Sequence, residues 1–572
     1  MPSPSDAPFD LLITGGTLVD GTGAPAAPGE IGVRDGRIAA IGAPGSLPRD
    51  AARTIDATGK VVAPGFIDIH THYDLQVLWD RMLTISPWHG VTSVVMGNCG
   101  FGAAPTRPEH RDLILRTLEN VEGMSLDDMR AGLGEDWAFE TFPEYLDAVE
   151  QRGVAINVAA MIGHTPLRMY VMGEASTERE ATDEEVAEMK RIAKEALDAG
   201  AIGIATSRSP THAGYAGRPV PSRASAPSEI DALADALGDA GHGVLQATVG
   251  AGFFVKEMAE IQRRIGRPIS WTALLAGMLG PGGEDYVLGE TEKLAAEGVP
   301  VIPQVSCRPL LFEFQWTKPF PFESMSLFKP ISEATTLAEK KAIYADPAFR
   351  EAFKERGNGG GIAGRWDQTV ISEHPGDPSL NERNVAEVAA ERGVHPVDLV
   401  CDIALETDLD ARFRIAAMNT DEDVVAKLLN HPDVMLGLSD AGAHASQLCD
   451  ACAPTHLLGR WVRERGDVTL EHAIHLLTGR AAEVFGLDDR GRLAEGLAAD
   501  LTIFDPETVG CSPLSRVYDQ PAGGDRLVSE AFGIEAVIVN GTVLREQGHD
   551  AVDTAGPLPG RVIRGNKGAA TA

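Results

Sequence analysis

Short apolar runs alternate with helical stretches along most of this chain. That alternation restricts the fold more than any other feature, because it is the pattern of a parallel α/β architecture. Eight runs read as strands: residues 65–70, 91–96, 154–161, 201–206, 244–248, 269–272, 301–305 and 434–438. Eight is the number that a (β/α)8, TIM-like barrel requires. The intervening segments carry helix signals. Residues 183–199 read DEEVAEMKRIAKEALDA and stop at Gly200, and 228–238 and 469–478 behave similarly.

Both ends of the chain differ from this middle. Residues 10–14, 30–34 and 37–42 are brief β-prone runs, punctuated by Gly15-Gly16, Asp20-Gly21 and Asp35-Gly36, and the same texture returns at 499–505 and 536–544. Two β segments flanking a long middle predict a small β-sandwich formed by the N- and C-terminal segments. The expected boundaries are 1–62 and 486–547 for its two parts, 63–485 for the barrel and 548–572 for a C-terminal tail. The tail is rich in Gly, Pro and Ala and reads as a loose arm or an oligomer contact. Strands seven and eight are about 130 residues apart, far beyond a normal loop. An insertion is therefore expected at about 276–430. It holds Phe312, Phe314, Trp316, Phe320, Phe322 and Phe328. These rings suit either a cap over a pocket or an outer helical subdomain that packs them inward.

Composition narrows the function. The 572 residues exceed one ordinary domain, and an apolar fraction of 44% supplies a sizeable core. A net charge of −33 repels nucleic acid and anionic membranes. No stretch reaches the roughly 18 consecutive apolar residues of a membrane span. The start MPSPSDAPFD lacks the basic and apolar regions of a signal peptide. The expectation is a cytoplasmic protein acting on a small molecule, with a homo-oligomer left open. The six cysteines are too sparse for a disulfide framework. Cys449 and Cys452 form a C-x-x-C without a second pair, which reads as two packed thiols rather than a zinc ribbon.

Chemistry in such a barrel gathers at the C-terminal ends of its strands. The first strand ends Pro64-Gly-Phe-Ile-Asp-Ile-His70-Thr-His72. In extended chain, residues i and i+2 share a side, so His70 and His72 aim two imidazoles at one point, as a metal such as Zn²⁺ wants.

The run from Ile55-Asp56 through Val61-Val-Ala-Pro-Gly-Phe-Ile-Asp-Ile-His-Thr-His72 resembles the amidohydrolase superfamily, and within it the N-acyl-D-amino-acid deacylase branch. The marks of that branch are Gly97-Asn-Cys99-Gly, Ile162-Gly-His164 with Arg168, Leu438-Ser-Asp440-Ala, Gly479-Arg-Ala-Ala-Glu-Val-Phe-Gly486 and Gly491-Arg-Leu-Ala-Glu-Gly496. The resemblance covers most of residues 10–545. It implies metal ligation by His70 and His72, a thiolate ligand at Cys99, and an Asp440 that touches metal and acts as general base. A carboxylate so placed takes a proton from water that a metal has acidified while the metal polarises the scissile carbonyl.

The family also has metal-binding histidines after strands five and six. Here strand five reads Val244-Leu-Gln-Ala-Thr248 and strand six Ile269-Ser-Trp-Thr272, without histidine. Threonine is a poor zinc ligand. The expectation is therefore one divalent ion, most simply Zn²⁺, held by His70, His72, Cys99 and Asp440, and the D-amino acid preference of the branch does not carry over with it. His164, His212 and His444 follow strands three, four and eight. Each is open to a ligand, oxyanion-stabilising or acid role, and equally to packing. Arg168, Arg208 and Arg308 follow strands three, four and seven, where a guanidinium suits either an anionic substrate group or a salt bridge. The leading reading is a one-metal amide hydrolase acting on carbon–nitrogen bonds. The alternatives are a metal-dependent lyase or decarboxylase on the same scaffold and a catalytically inactive binding protein.

Overall fold

A computed structural model of the chain describes residues 8–565 apart from 136, 281, 324 and 360. Strands covered on both faces need continuous apolar runs. Val91–Met96 and Gly203–Ser207 accordingly bury every residue. Each of the eight expected runs contains a parallel strand: Phe66–Asp68, Val91–Met96, Asn157–Ala160, Gly203–Ser207, Val244–Thr248, Ile269–Thr272, Val301–Val305 and Met435–Leu436. They lie in two hydrogen-bonded runs, of three strands and of six, and Ile162–Gly163 carries the third strand into the second run. The other ends of the two runs also meet. Thr71, beyond the first strand, bridges Ala441, beyond the last, in parallel. The result is a mixed α/β fold.

Helix boundaries follow local chemistry. Asp183–Ala199 begins at a capping box between Thr182 and Glu185 and ends at Gly200, whose φ is 116°. Pro227–Ala240 and Leu470–Leu477 occupy the other two expected positions. No helix among the described residues is long and apolar enough to cross a membrane. All six cysteines are free thiols.

The two chain ends meet in one nine-stranded sheet. Its central contact pairs Val61–Pro64 antiparallel with Leu501–Phe504, joining residues more than 400 positions apart in the chain. Apolar side chains from both ends, among them Leu11, Ile31, Val62, Leu501 and Ile538, form one buried cluster.

The segment with its own core is narrower than the expected 276–430. Helix Gly283–Ala296 and strand Val301–Val305 pack into the main core through Val287, Leu288 and Val301. The separate core begins with an antiparallel sheet of Leu310–Gln315, Arg412–Met418, Thr369–Glu373 and Arg383–Asn384. Trp316 lies at its centre, with Phe322, Phe328, Phe353 and Phe413 around it at ring separations of 5.5–6.3 Å. The rings face one another, and Phe320 remains exposed. The subdomain is thus built around a sheet as well as helices.

The described part of the tail is docked rather than loose. Gly560 N–H donates to Val154 O (2.8 Å), Val158 N–H to Arg561 O (2.9 Å), Ile563 N–H to Val158 O (2.7 Å) and Gly565 N–H to Gly200 O (2.9 Å). Arg564 adds ion pairs to Asp147 and Glu150, both at 2.7 Å. Composition suggested mobility, but backbone groups at the start of the third strand need partners and the tail supplies them. The last seven residues lie outside the described residues. Each backbone bond contributes about 1 kcal/mol. Truncation after residue 555 is therefore expected to destabilise the protein by about 4 kcal/mol, read as a lowered urea midpoint. An unchanged midpoint contradicts the docking.

Candidate metal centre

The first and last strands bring the chemistry together through backbone pairing just beyond their ends. Asp440 N–H donates to His70 O (3.1 Å), and His72 N–H donates to Ala441 O (2.7 Å). Thr71 turns the other way, its hydroxyl donating to Val95 O at 2.8 Å. His70 and His72 therefore share a side, with ring centroids 5.4 Å apart. Cys99 reaches the same point from the second strand on a turn that only glycine-rich sequence allows. Gly97 has φ 85°, and a Cβ there would lie 2.2 Å from Met161 O. Gly100 has φ 75°, and its Cβ would lie 2.9 Å from Thr206 Cα. Cys99 and Asp440 themselves occupy left-handed backbone, φ 56° and 46°. Such strain gathers at functional sites.

The side chains converge. His70 Nε2 lies 3.4 Å from Cys99 Sγ and 3.2 Å from Asp440 Oδ1, and His72 Nε2 lies 3.7 Å from Asp440 Oδ1. One donor atom from each of His70, His72 and Cys99 falls within 4.8 Å of the others. Two imidazoles, a thiol and a carboxylate at this spacing fit a borderline divalent ion such as Zn²⁺.

Electrostatics agree with ligand chemistry. Burial pushes the Cys99 thiol up, but His70 and His72 beside it bring it down to about 6, so it favours the thiolate. Burial opposes ionisation of Asp440 too, yet His72 and His70 hold it far below the usual carboxylate range. His72 is raised well above its ordinary value; Glu122 and Asp440 outweigh its burial.

Three partners of this cluster escape motif reading. Gln304, on Val301–Val305, accepts from His70 Nδ1 at 2.7 Å, fixing the ring so that Nε2 faces the cluster; its own amide donates to Ser270 Oγ (2.9 Å). Gln246, on Val244–Thr248, accepts from Cys99 N–H at 2.7 Å. Glu122, the last residue of helix Arg111–Glu122, places Oε1 3.2 Å from His72 Nδ1. The only sequence signal for the glutamines is a polar residue inside an apolar strand. On strands five and six, Thr248 and Thr272 hydroxyls lie 3.1 Å apart, with Gln246 Nε2 at 3.5 Å from Thr272. Neutral hydrogen-bonding groups occupy the place where the family resemblance calls for histidines.

The remaining expected residues divide into two groups. His212 and His444 lie at the cluster. The His212 ring packs 5.0 Å from Phe101, which sits 6.3 Å from the His72 ring. Burial and the neighbouring His72 bring His212 down to about 3, so it is neutral. Burial also lowers His444 against the pull of Asp440, and its Nδ1 lies 3.2 Å from Gln447 Oε1. The others face elsewhere. His164 Nε2 lies 2.6 Å from Glu229, whose second oxygen pairs with Arg168; all three are fully buried. Arg308 Nε donates to Asp450 at 2.5 Å, and Arg208 donates to Ser225 O at 2.7 Å. Buried guanidinium groups require such partners. Arg168 and Arg308 are accordingly committed to carboxylates of the protein.

With this geometry in hand, similarity to known proteins is informative. The amidohydrolase family profile matches residues 53–545. A D-aminoacylase of Alcaligenes xylosoxydans xylosoxydans is 34% identical over 95% of this chain and 96% of its own length. A D-aminoacylase structure, described in terms of one-metal activation and second-metal attenuation of a binuclear centre, superposes with a TM-score of 0.67 at 29% identity, covering 97% of this chain and all of that one. An N-acyl-D-glutamate deacylase from Bordetella bronchiseptica, complexed with zinc and a phosphonate mimic of the tetrahedral intermediate, gives 0.66 at 29% identity over 98% of this chain and all of that one.

The buried triad makes a prediction of its own. Glu229→Ala leaves Arg168 charged and enclosed, which costs about 3–5 kcal/mol. The variant is expected to melt at a clearly lower temperature in calorimetry while still binding zinc. An unchanged melt refutes a structural role for the triad.

Proposed function

The chain belongs to the amidohydrolase family, and from that premise we propose that it deacylates an N-acyl-D-amino acid at a single-metal site. It is a metal-dependent hydrolase of carbon–nitrogen bonds other than peptide bonds. The convergence of His70, His72, Cys99 and Asp440 is the observation that carries the mechanism. The relatives are hydrolases, so neither a lyase nor an inactive binding protein is favoured. The names of these relatives specify N-acylated D-amino acids, and this supports keeping that substrate class against the expectation that the D preference is lost with the two histidines.

We read the eight parallel strands as a closed (β/α)8 barrel; the Thr71–Ala441 bridge and the strand-three link between the two runs support closure. The nine-stranded sheet is read as curling into the small β-sandwich, supported by the single cluster that its two ends bury.

When bound, a divalent ion among these donors supplies a Lewis acid for the scissile carbonyl and acidifies water. His70 and His72 are held for ligation by Gln304 and by the backbone pairing of the two strands. Cys99 is read as a ligand of one ion, because the Thr248–Thr272–Gln246 group offers no imidazole for a second. Asp440 has the most exposed side chain of the four, at 17%. As a carboxylate it accepts the proton of the attacking water and returns it to the departing nitrogen. Ser207 Oγ accepts from Ser209 N–H (3.2 Å) and lies 2.7 Å from His212 Nδ1. A Ser207 hydroxyl that donates to Nδ1 leaves His212 Nε2–H as a donor for the developing oxyanion. His444 is read as a second neutral contact for the substrate.

Chelation is expected to abolish amine release from N-acyl-D-amino acids, and one equivalent of Zn²⁺ per chain to restore it fully. Asp440→Asn is expected to retain most zinc while lowering kcat by about 100-fold or more. Absence of amine release across D- and L-series substrates in metal-replete protein refutes the substrate class. An active Asp440→Asn protein refutes the general-base role.

A further inference from the structure

Resting on the single-metal reading, we propose that Glu122 is a positioning residue for that metal: its carboxylate holds His72 Nδ1 so that Nε2 is presented to the ion. Three observations converge on it. Glu122 Oε1 and His72 Nδ1 are 3.2 Å apart, both side chains are 5% exposed, and neither atom makes any hydrogen bond of standard geometry. Among the described residues, no ion pair joins Glu122 to a lysine or arginine.

The second observation is where the carboxylate sits. Glu122 closes a helix that Gly123 terminates at φ 59°. A carboxylate at a helix C-terminus faces the negative end of the macrodipole, and its burial adds a desolvation cost. A neighbour that donates a hydrogen bond to the carboxyl group lowers both costs, and the His72 imidazole is the neighbour present. The third is that one residue touches both halves of the site. Its side chain faces His72 from the first strand, and its carbonyl accepts the backbone N–H of His444, four residues past Asp440. The two imidazoles are therefore held differently, His70 by the amide of Gln304 and His72 by a carboxyl group. A carboxylate on Nδ1–H raises ligand basicity and fixes ring orientation.

The test is a direct zinc titration of apo-protein against a chromophoric chelator, with the Co²⁺ absorption spectrum as a second readout. Wild type is measured first; if it binds no metal, the single-metal reading itself fails. Glu122→Gln and Glu122→Ala are expected to weaken zinc binding by about 10–100-fold and to shift the Co²⁺ bands, with Glu122→Asp recovering part of the affinity. Zinc affinity of both the Gln and Ala variants within about threefold of wild type overturns the proposal, whatever happens to their apo-state melting temperature. If the Ala variant does not fold, the near-isosteric Gln variant decides.

Discussion

Two backbone hydrogen bonds organise this molecule: Asp440 N–H to His70 O and His72 N–H to Ala441 O. They lay the end of the first parallel strand alongside the end of the last, which are separated by some 370 residues of chain. With that pairing made, the alternation of side chains in extended backbone puts both imidazoles on one side. The left-handed conformation of Asp440 then turns its carboxylate to meet them. Cys99 arrives from the neighbouring strand on a glycine turn that admits no Cβ at its flanks. The four converging side chains are held by strand register and tight turns just beyond the strand ends, and a rigid frame is what catalytic geometry demands.

Around this centre, charge is managed in separate compartments. His164, Arg168 and Glu229 neutralise one another, as do Arg308 and Asp450. On the far side, Asp500 takes Arg490 and accepts from Asn157 (3.0 Å) and from the Asn540 N–H (2.7 Å). Among the described residues, His70, His72 and Cys99 form the cluster of three metal-binding side chain types that converge within 4.8 Å, with the Asp440 and Glu122 carboxyl groups beside them.

How much of this was legible in the sequence depended on whether the relevant physics is local. The eight strands and the helix 183–199 were legible because periodicity, caps and stop residues act within a few positions. His70 and His72 were legible for the same reason, and Cys99 and Asp440 through motifs next to strands. Glu122 was not: it lies 50 positions from His72, at the end of a helix, with no motif around it. Gln304 and Gln246 read as stray polar residues until their strands are placed side by side. Arg168 looked available to a substrate because its partner Glu229 sits 61 positions downstream on another helix. The insertion's narrower limits depend on antiparallel pairing between residues 310 and 418, and the docked tail on main-chain hydrogen bonds; composition encodes neither.

The sheet that joins the chain ends has a consequence for biosynthesis. Val61–Pro64 is made before its partner Leu501–Phe504, which follows more than 400 residues later, and the segment that covers Val154 and Val158 follows some 400 residues after them. Contacts at such separation form slowly and leave apolar edges open meanwhile. The Val61–Pro64 strand must therefore wait, unpaired on that side, until residues 501–504 have been made.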